Sequence, residues 1–119
     1  MTKCVICDHD LTITACHCPS CNTGYNGSFS LPRLARLSQE EQQLAEALIL
    51  HGGNLKDMAE DIHISYPTLK KRLKELSVAL AEKKREDEAM IAKILKDIEL
   101  GKMNAEEGIK RIREINGEL

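Results

Sequence analysis

The chain has 119 residues, of which 30% are charged and 3% aromatic, and its net charge is −2. A balance this close to neutral gives no global attraction to nucleic acid or to an anionic membrane, so any basic surface has to be local. With no Trp, one Phe and two Tyr, the core must come from Leu, Ile, Ala and Met, which pack helix on helix, and a mainly α fold is expected.

The apolar runs exclude a membrane span. The best candidate, LAEALIL at 44–50, is far short of the ~18 residues required and carries Glu46. No apolar stretch precedes Cys4, so no cleaved signal peptide is expected and a soluble, cytoplasmic protein with no membrane contact is.

Residues 1–30 hold all five cysteines, at 4, 7, 16, 18 and 21. Cys4-Val-Ile-Cys7 and Cys18-Pro-Ser-Cys21 are two CxxC pairs separated by a short segment, the spacing by which two turns present four thiolates to one tetrahedral Zn²⁺. Two residues between cysteines let both sulfurs of a turn point the same way. Four thiolates fill the coordination sphere and leave no place for water or substrate, so the expected centre is structural, with Cys4, Cys7, Cys18 and Cys21 as metal ligands. A piece of about thirty residues with almost no apolar core needs such a staple, and metal binding supplies most of its folding free energy. Cys16 or His17 could replace Cys18 as a ligand, but Cys18 completes the CxxC with Cys21, so Cys16 is read as a spare thiol and His17 as an exposed turn residue; His9 is more often a bystander than a ligand.

Residues 31–81 form the second expected piece. Ser38 and Glu41 make a capping-box pair, so a first helix starts there, turns Leu44, Ala45, Leu48 and Ile49 inward and stops at Gly52-Gly53. Asn54 caps a second helix with Leu55, Met58, Ala59 and Ile62 inside, ending near His63. Ser65 caps a third, with Pro67 in its first turn and Leu69, Leu73, Leu76 and Leu80 on its apolar face. Charge is segregated between these last two: residues 54–64 set one base against three acids (−2), residues 65–76 four bases against one acid (+3). With the leucines inward, a rotation of 100° per residue puts Pro67, Lys71 and Lys74 on the far side, flanked by Tyr66 and Lys70. A recognition helix in a major groove shows such a face, with cations for phosphates and polar tips for bases. Tyr66, Pro67, Thr68, Lys70, Lys71, Arg72 and Lys74 are the candidate DNA contacts. The usual base readers, Asn, Gln or an exposed Arg, are missing from its leading end.

Residues 82–119 form the third expected piece, a hairpin of two helices broken at Gly101 and recapped by Asn104 and Glu107. Its single apolar stripes, Ile91, Ile94, Leu95 and Ile98 on one helix and Ile109 and Ile112 on the other, assign it to oligomerisation or partner contact, since some forty residues bury too little surface alone. The fold class expected is thus mainly α with a small N-terminal zinc ribbon, a three-helix helix-turn-helix core and a C-terminal helical hairpin.

GGNLKDMAEDIHISYPTLKKRLKEL resembles the helix-turn-helix of nitrogen-regulator-type activators and of the factor for inversion stimulation. CPSC, FSLPRLARLS, GNLK and ISYPTL together resemble an uncharacterised bacterial family that joins a zinc ribbon to this helix-turn-helix, a likeness spanning residues 1–81. It implies a bacterial DNA-binding architecture without fixing an activity. ILKDIELGKMNAEEGIKRI, residues 94–112, is similar to the short SHOCT-like carboxy-terminal hairpins, which implies self-association. Val5 and Asp8 depart from the Pro and Gly common in zinc ribbons, and Asp8 has to tolerate the tight turn that Gly favours.

Two functions follow. One is a transcriptional regulator whose helix-turn-helix binds DNA in the major groove and whose tail makes a homodimer or higher oligomer. The other is a protein–protein adaptor for a sigma factor, a polymerase subunit or an envelope-stress component, with the helix-turn-helix as scaffold. No Ser/His/Asp set, phosphate loop or open metal site is legible, so neither an enzyme nor a small-molecule substrate is expected.

Overall fold

The computed structural model describes residues 3–117. Residues 1, 2, 118 and 119, at the outer ends of the first and third expected pieces, lie outside the described residues. The chain divides into two compact units, one of residues 33–86 and the other of residues 1–32 with 87–119.

In the unit of residues 33–86, a short 3-10 turn at Arg33–Arg36 leads into helix α1, Gln39–Leu50. The expected capping box is formed: the Glu41 N–H donates to Ser38 Oγ at 3.2 Å and the Ser38 N–H to Glu41 Oε1 at 3.1 Å. Gln42 secures the preceding turn by donating to the Ala35 and Leu37 carbonyls. The chain leaves α1 through Gly52 and Gly53, both at positive φ, and the Gly53 N–H returns to the Leu48 carbonyl. Helix α2, Leu55–Asp61, is capped by Asn54, whose Oδ1 accepts from the Asp57 N–H. It closes on His63 at φ 57, with the Ile64 N–H on the Ala59 carbonyl, so the turn into the next helix uses the left-handed conformation without a glycine.

Met58, Ala59 and Leu69 are the buried centre, ringed by Leu44, Ala47, Leu48, Leu55, Ile62, Ile64 and Leu73. Full burial of a side chain like Met58 or Leu69 stabilises by about 1.5–3 kcal/mol. One inward assignment fails. Ile49 stands 73% exposed, and Ala47 takes a core place in α1. Residues 44, 47 and 48 form the i, i+3, i+4 stripe that three helices can cover, and Ile49 lies a further 100° round.

Helix α3 runs unbroken from Tyr66 to Glu99, 34 residues, or about 51 Å at 1.5 Å per residue. The sequence reading set two separate helices here with a division after residue 81. EKKREDEAM at 82–90 contains no Gly or Pro and consists largely of good helix formers, so nothing in it stops propagation. Along this helix a leucine stripe gives way to an isoleucine stripe without any change of backbone conformation.

In the other unit, strands β1, Ile13–His17, and β2, Gly24–Phe29, pair antiparallel, with an irregularity between Ile13 and Ala15. The 87–99 segment of α3 ends at Gly101, φ 73, where the Lys102 N–H reaches the Asp97 carbonyl at 2.8 Å. Asn104 then caps helix α4, Ala105–Ile115, accepting from the Glu106 and Glu107 N–H groups. The hairpin is drawn tight at Gly108, which is buried against Ile94 and Ile98; a Cβ there would collide with Ile98 Cδ1. Within this unit α4 also meets the end of β2, where the Ser30 hydroxyl donates to the Glu114 carbonyl at 2.6 Å. The ribbon is a partner for the hairpin that the sequence reading did not name.

Candidate metal centre and nucleic-acid interface

The two CxxC segments fold into the same turn. In the first, the Cys4 N–H donates to the His9 carbonyl at 2.8 Å and the Asp8 N–H to the Cys4 carbonyl at 3.0 Å. In the second, the Cys18 N–H donates to the Thr23 carbonyl at 2.9 Å and the Asn22 N–H to the Cys18 carbonyl at 2.8 Å. Each turn passes through a left-handed residue four positions after its first cysteine, Asp8 at φ 59 and Asn22 at φ 64. Asp and Asn are the non-glycine residues that enter this region most readily. The sequence reading recognised the demand at Asp8 and missed it at Asn22, although the equal offset from Cys4 and Cys18 was the available signal.

Hydrogen bonds converge on the sulfurs. The Ile6 N–H points at Cys4 Sγ at 3.4 Å, and the Cys4 thiol is held below its ordinary value chiefly by the backbone at Cys7, then by that of Ile6. Cys21 is lowered mainly by Thr23, whose hydroxyl lies 3.0 Å from Cys21 Sγ. Donors that stabilise thiolate also favour metal ligation, because the thiolate is the ligand. All five cysteines are free. Cys4 and Cys7 share one turn and Cys18 and Cys21 the other; among the described residues, no set of three or more Cys, His, Asp or Glu side chains is drawn together tightly enough to hold an ion. The donor chemistry within each turn nevertheless suits a soft-ligand site, two sulfurs per turn with an amide or hydroxyl directed at one of them.

Cys16, the expected spare, is exposed on β1 opposite Tyr25. The two histidines brace the turns. His17 Nε2 lies 2.6 Å from Asn22 Oδ1, and His9 Nδ1 lies 3.0 Å from the Cys7 carbonyl. His17 thereby supports the left-handed residue of the second turn, a role the sequence reading did not foresee.

The seven candidate DNA contacts on α3 are all exposed. Ser65 Oγ accepts the Thr68 N–H at 3.3 Å and donates to Thr68 Oγ1 at 2.7 Å, so the Thr68 hydroxyl also takes part in the cap. Lys70 Nζ sits 5.7 Å from the centre of the Tyr66 ring, a cation–π contact that pairs two of the candidates. Among the described residues, no carboxylate forms an ion pair with Lys70, Lys71 or Lys74. Arg72 is set apart. It lines a groove against α1 with Glu40, Glu41 and Glu75, on the opposite flank of the helix from Lys70. The turn region is tied from the other side by His51, whose Nδ1 meets the Ala47 carbonyl at 2.7 Å and whose Nε2 meets Asp61 at 3.2 Å.

Of the residues assigned to oligomerisation, Ile94 is buried and Ile91, Ile98 and Ile112 are half-buried, whereas Leu95 and Ile109 are 54% and 51% exposed. Ile94 and Ile98 are occupied inside the hairpin by Gly108. Ile109 instead borders a groove with Phe29, Pro32, Lys110 and Arg113. Among the described residues, no helix is long and apolar enough to cross a membrane.

Two family models match the sequence: the DUF2089 zinc ribbon over residues 4–35, and the domain of unknown function (DUF2089)-HTH over residues 37–83. No curated protein and no solved structure gives a significant match.

Proposed function

Since the chain belongs to the DUF2089 family, a zinc ribbon followed by a helix-turn-helix domain, we propose that it is a DNA-binding transcriptional regulator with a structural zinc. The observation that carries this reading is the face of α3 holding Lys70, Lys71 and Lys74, exposed and without ion pairs to carboxylates among the described residues, directly after the turn at His63. Lys71 and Lys74 supply phosphate contacts, and Tyr66, Pro67 and Thr68 at the leading end lie nearest the bases. Arg72 lines the acid-edged groove beside α1, on the opposite flank from Lys70, and is the least favoured of the seven as a phosphate contact. Cys4, Cys7, Cys18 and Cys21 hold the zinc, which cross-links the two turns and takes no part in any reaction. The exposed Leu95 and Ile109 support a homodimer that spans two half-sites.

The test is fluorescence anisotropy of the zinc-loaded chain on duplex DNA over a range of salt. Lys71→Gln combined with Lys74→Gln should weaken binding and reduce the salt slope by about two, because each phosphate contact contributes ~0.9 to it. An unchanged slope removes these lysines from the interface.

A second reading, a protein–protein adaptor, is favoured by Leu34, Ile49 and Leu50, which stand exposed beside one another along one groove of the 33–86 unit. Failure of the chain to retard genomic DNA at low salt, together with recovery of one protein partner, decides for it.

A further inference from the structure

Pro67, Lys71, Lys74, Val78, Ala81 and Arg85 follow one another at alternating four- and three-residue steps along α3. On a helix such steps trace a single stripe, here on the side away from Leu69, Leu73, Leu76 and Leu80. Had the helix stopped near residue 81, Arg85 would have had no fixed relation to the lysines. The unbroken α3 fixes it in line with them, about 16 Å beyond Lys74 along the axis, eleven residues at 1.5 Å each. Arg85 is exposed and, among the described residues, no carboxylate forms an ion pair with it. Between the two cationic positions the stripe carries only Val78 and Ala81, which are apolar and place no acid on it; Glu75, Glu82 and Glu86 lie to one side.

We propose that Arg85 is a second phosphate anchor of the DNA interface, contacting the backbone outside the groove that the leading turns of α3 enter. This rests on the DNA-binding reading above. The major groove is about 12 Å wide, and residues 66–76 already span about 15 Å. A cation as far out as Arg85 therefore passes the groove wall and meets the flanking strand. A guanidinium suits that position, since its planar fork binds phosphate oxygens in a bidentate manner on a long, extended stem. DNA that is long enough to fill the groove but not to reach this strand should bind less tightly than DNA that reaches it.

The experiment uses the full, zinc-loaded chain and a mixed-sequence duplex of about 24 base pairs, with anisotropy titrations from about 50 to 200 mM salt. Arg85→Gln is a solvent-facing change in mid-helix, and circular dichroism checks that α3 is retained. It is expected to lower the salt slope by about one and to weaken binding several-fold at about 0.1 M salt, with Arg85→Lys recovering most of the slope. Hydroxyl-radical protection on the flanking strand should disappear in Arg85→Gln while protection within the groove persists. If Arg85→Gln keeps the wild-type slope and footprint while the Lys71/Lys74 variant flattens, the anchor is refuted and the DNA-binding reading stands. If the wild-type chain does not bind the duplex even at 50 mM salt, both fall.

Discussion

In the ribbon, β1 and β2 leave every residue but Ile13 and Phe29 exposed, whereas α1, α2 and the start of α3 close over Met58, Ala59 and Leu69. Both regions are short, but they draw their stability from different sources. The helical core is held by apolar area removed from water, distributed over about ten side chains, and its order follows from their spacing. The ribbon has two hydrogen-bonded turns, a two-stranded sheet and a hydrogen bond from Ser30 to α4, with little apolar area of its own, so in the proposed reading its persistence depends on a zinc cross-link between Cys4–Cys7 and Cys18–Cys21. One region can lose a contact and relax; the other, in the proposed reading, rests mainly on one ion.

Chelation is the most severe way to break that contrast. Stripping zinc should unfold the ribbon, with amide protection lost across residues 4–29 and retained across 39–76, since structural zinc contributes on the order of 10–16 kcal/mol in small metal-folded modules. Cys21→Ser should do the same and lower zinc content below the one ion per chain expected of the parent, while Cys16→Ser should leave that content intact. Retained protection in the metal-free ribbon would show that the turns stand without the ion. The reverse perturbation is Leu69→Ala, expected to cost about 2–5 kcal/mol in urea unfolding of the helical core and to leave zinc content unchanged. Between these lies the hairpin. Gly108→Ala places a methyl group against Ile98; overpacking of about 1–3 kcal/mol outweighs the gain in helix propensity of roughly 1 kcal/mol, and a small net destabilisation should appear in thermal melts. The finest comparison sets the two turns against each other. Asp8→Gly relieves a strained conformation and should alter zinc-loaded stability by under about 0.5 kcal/mol. Asn22→Gly relieves the same strain but removes the partner of His17, so it should be the worse of the two.

Much of this was legible because it is local. Ser38 with Glu41, Asn54 with Asp57 and Asn104 with Glu107 act over three residues, and each cap forms where the pattern places it. The paired cysteine spacing likewise identified both turns, although not the histidines that brace them: His17 acts through Asn22, and nothing in a lone histidine announces its partner. The division of α3 was misread because a helix ends only where something stops it, and the shift in apolar stripe after Leu80 is not a stop. Arg72 was grouped with the lysines by charge, but its flank faces α1 and the glutamates there. Gly108 carried no sequence signal, since a glycine required by close packing looks the same as one that is merely tolerated.

By itself the sequence determined where helices are capped, which residues are apolar enough to be buried and which cysteines share a turn, because caps, periodicity and CxxC spacing are set by neighbours a few bonds away. Only the tertiary structure decided which apolar residues found a cover, and that Ile94 and Ile98 close on Gly108 while Leu95 and Ile109 remain open. Those outcomes depend on what lies opposite each side chain across space, and the distance along the chain does not encode that.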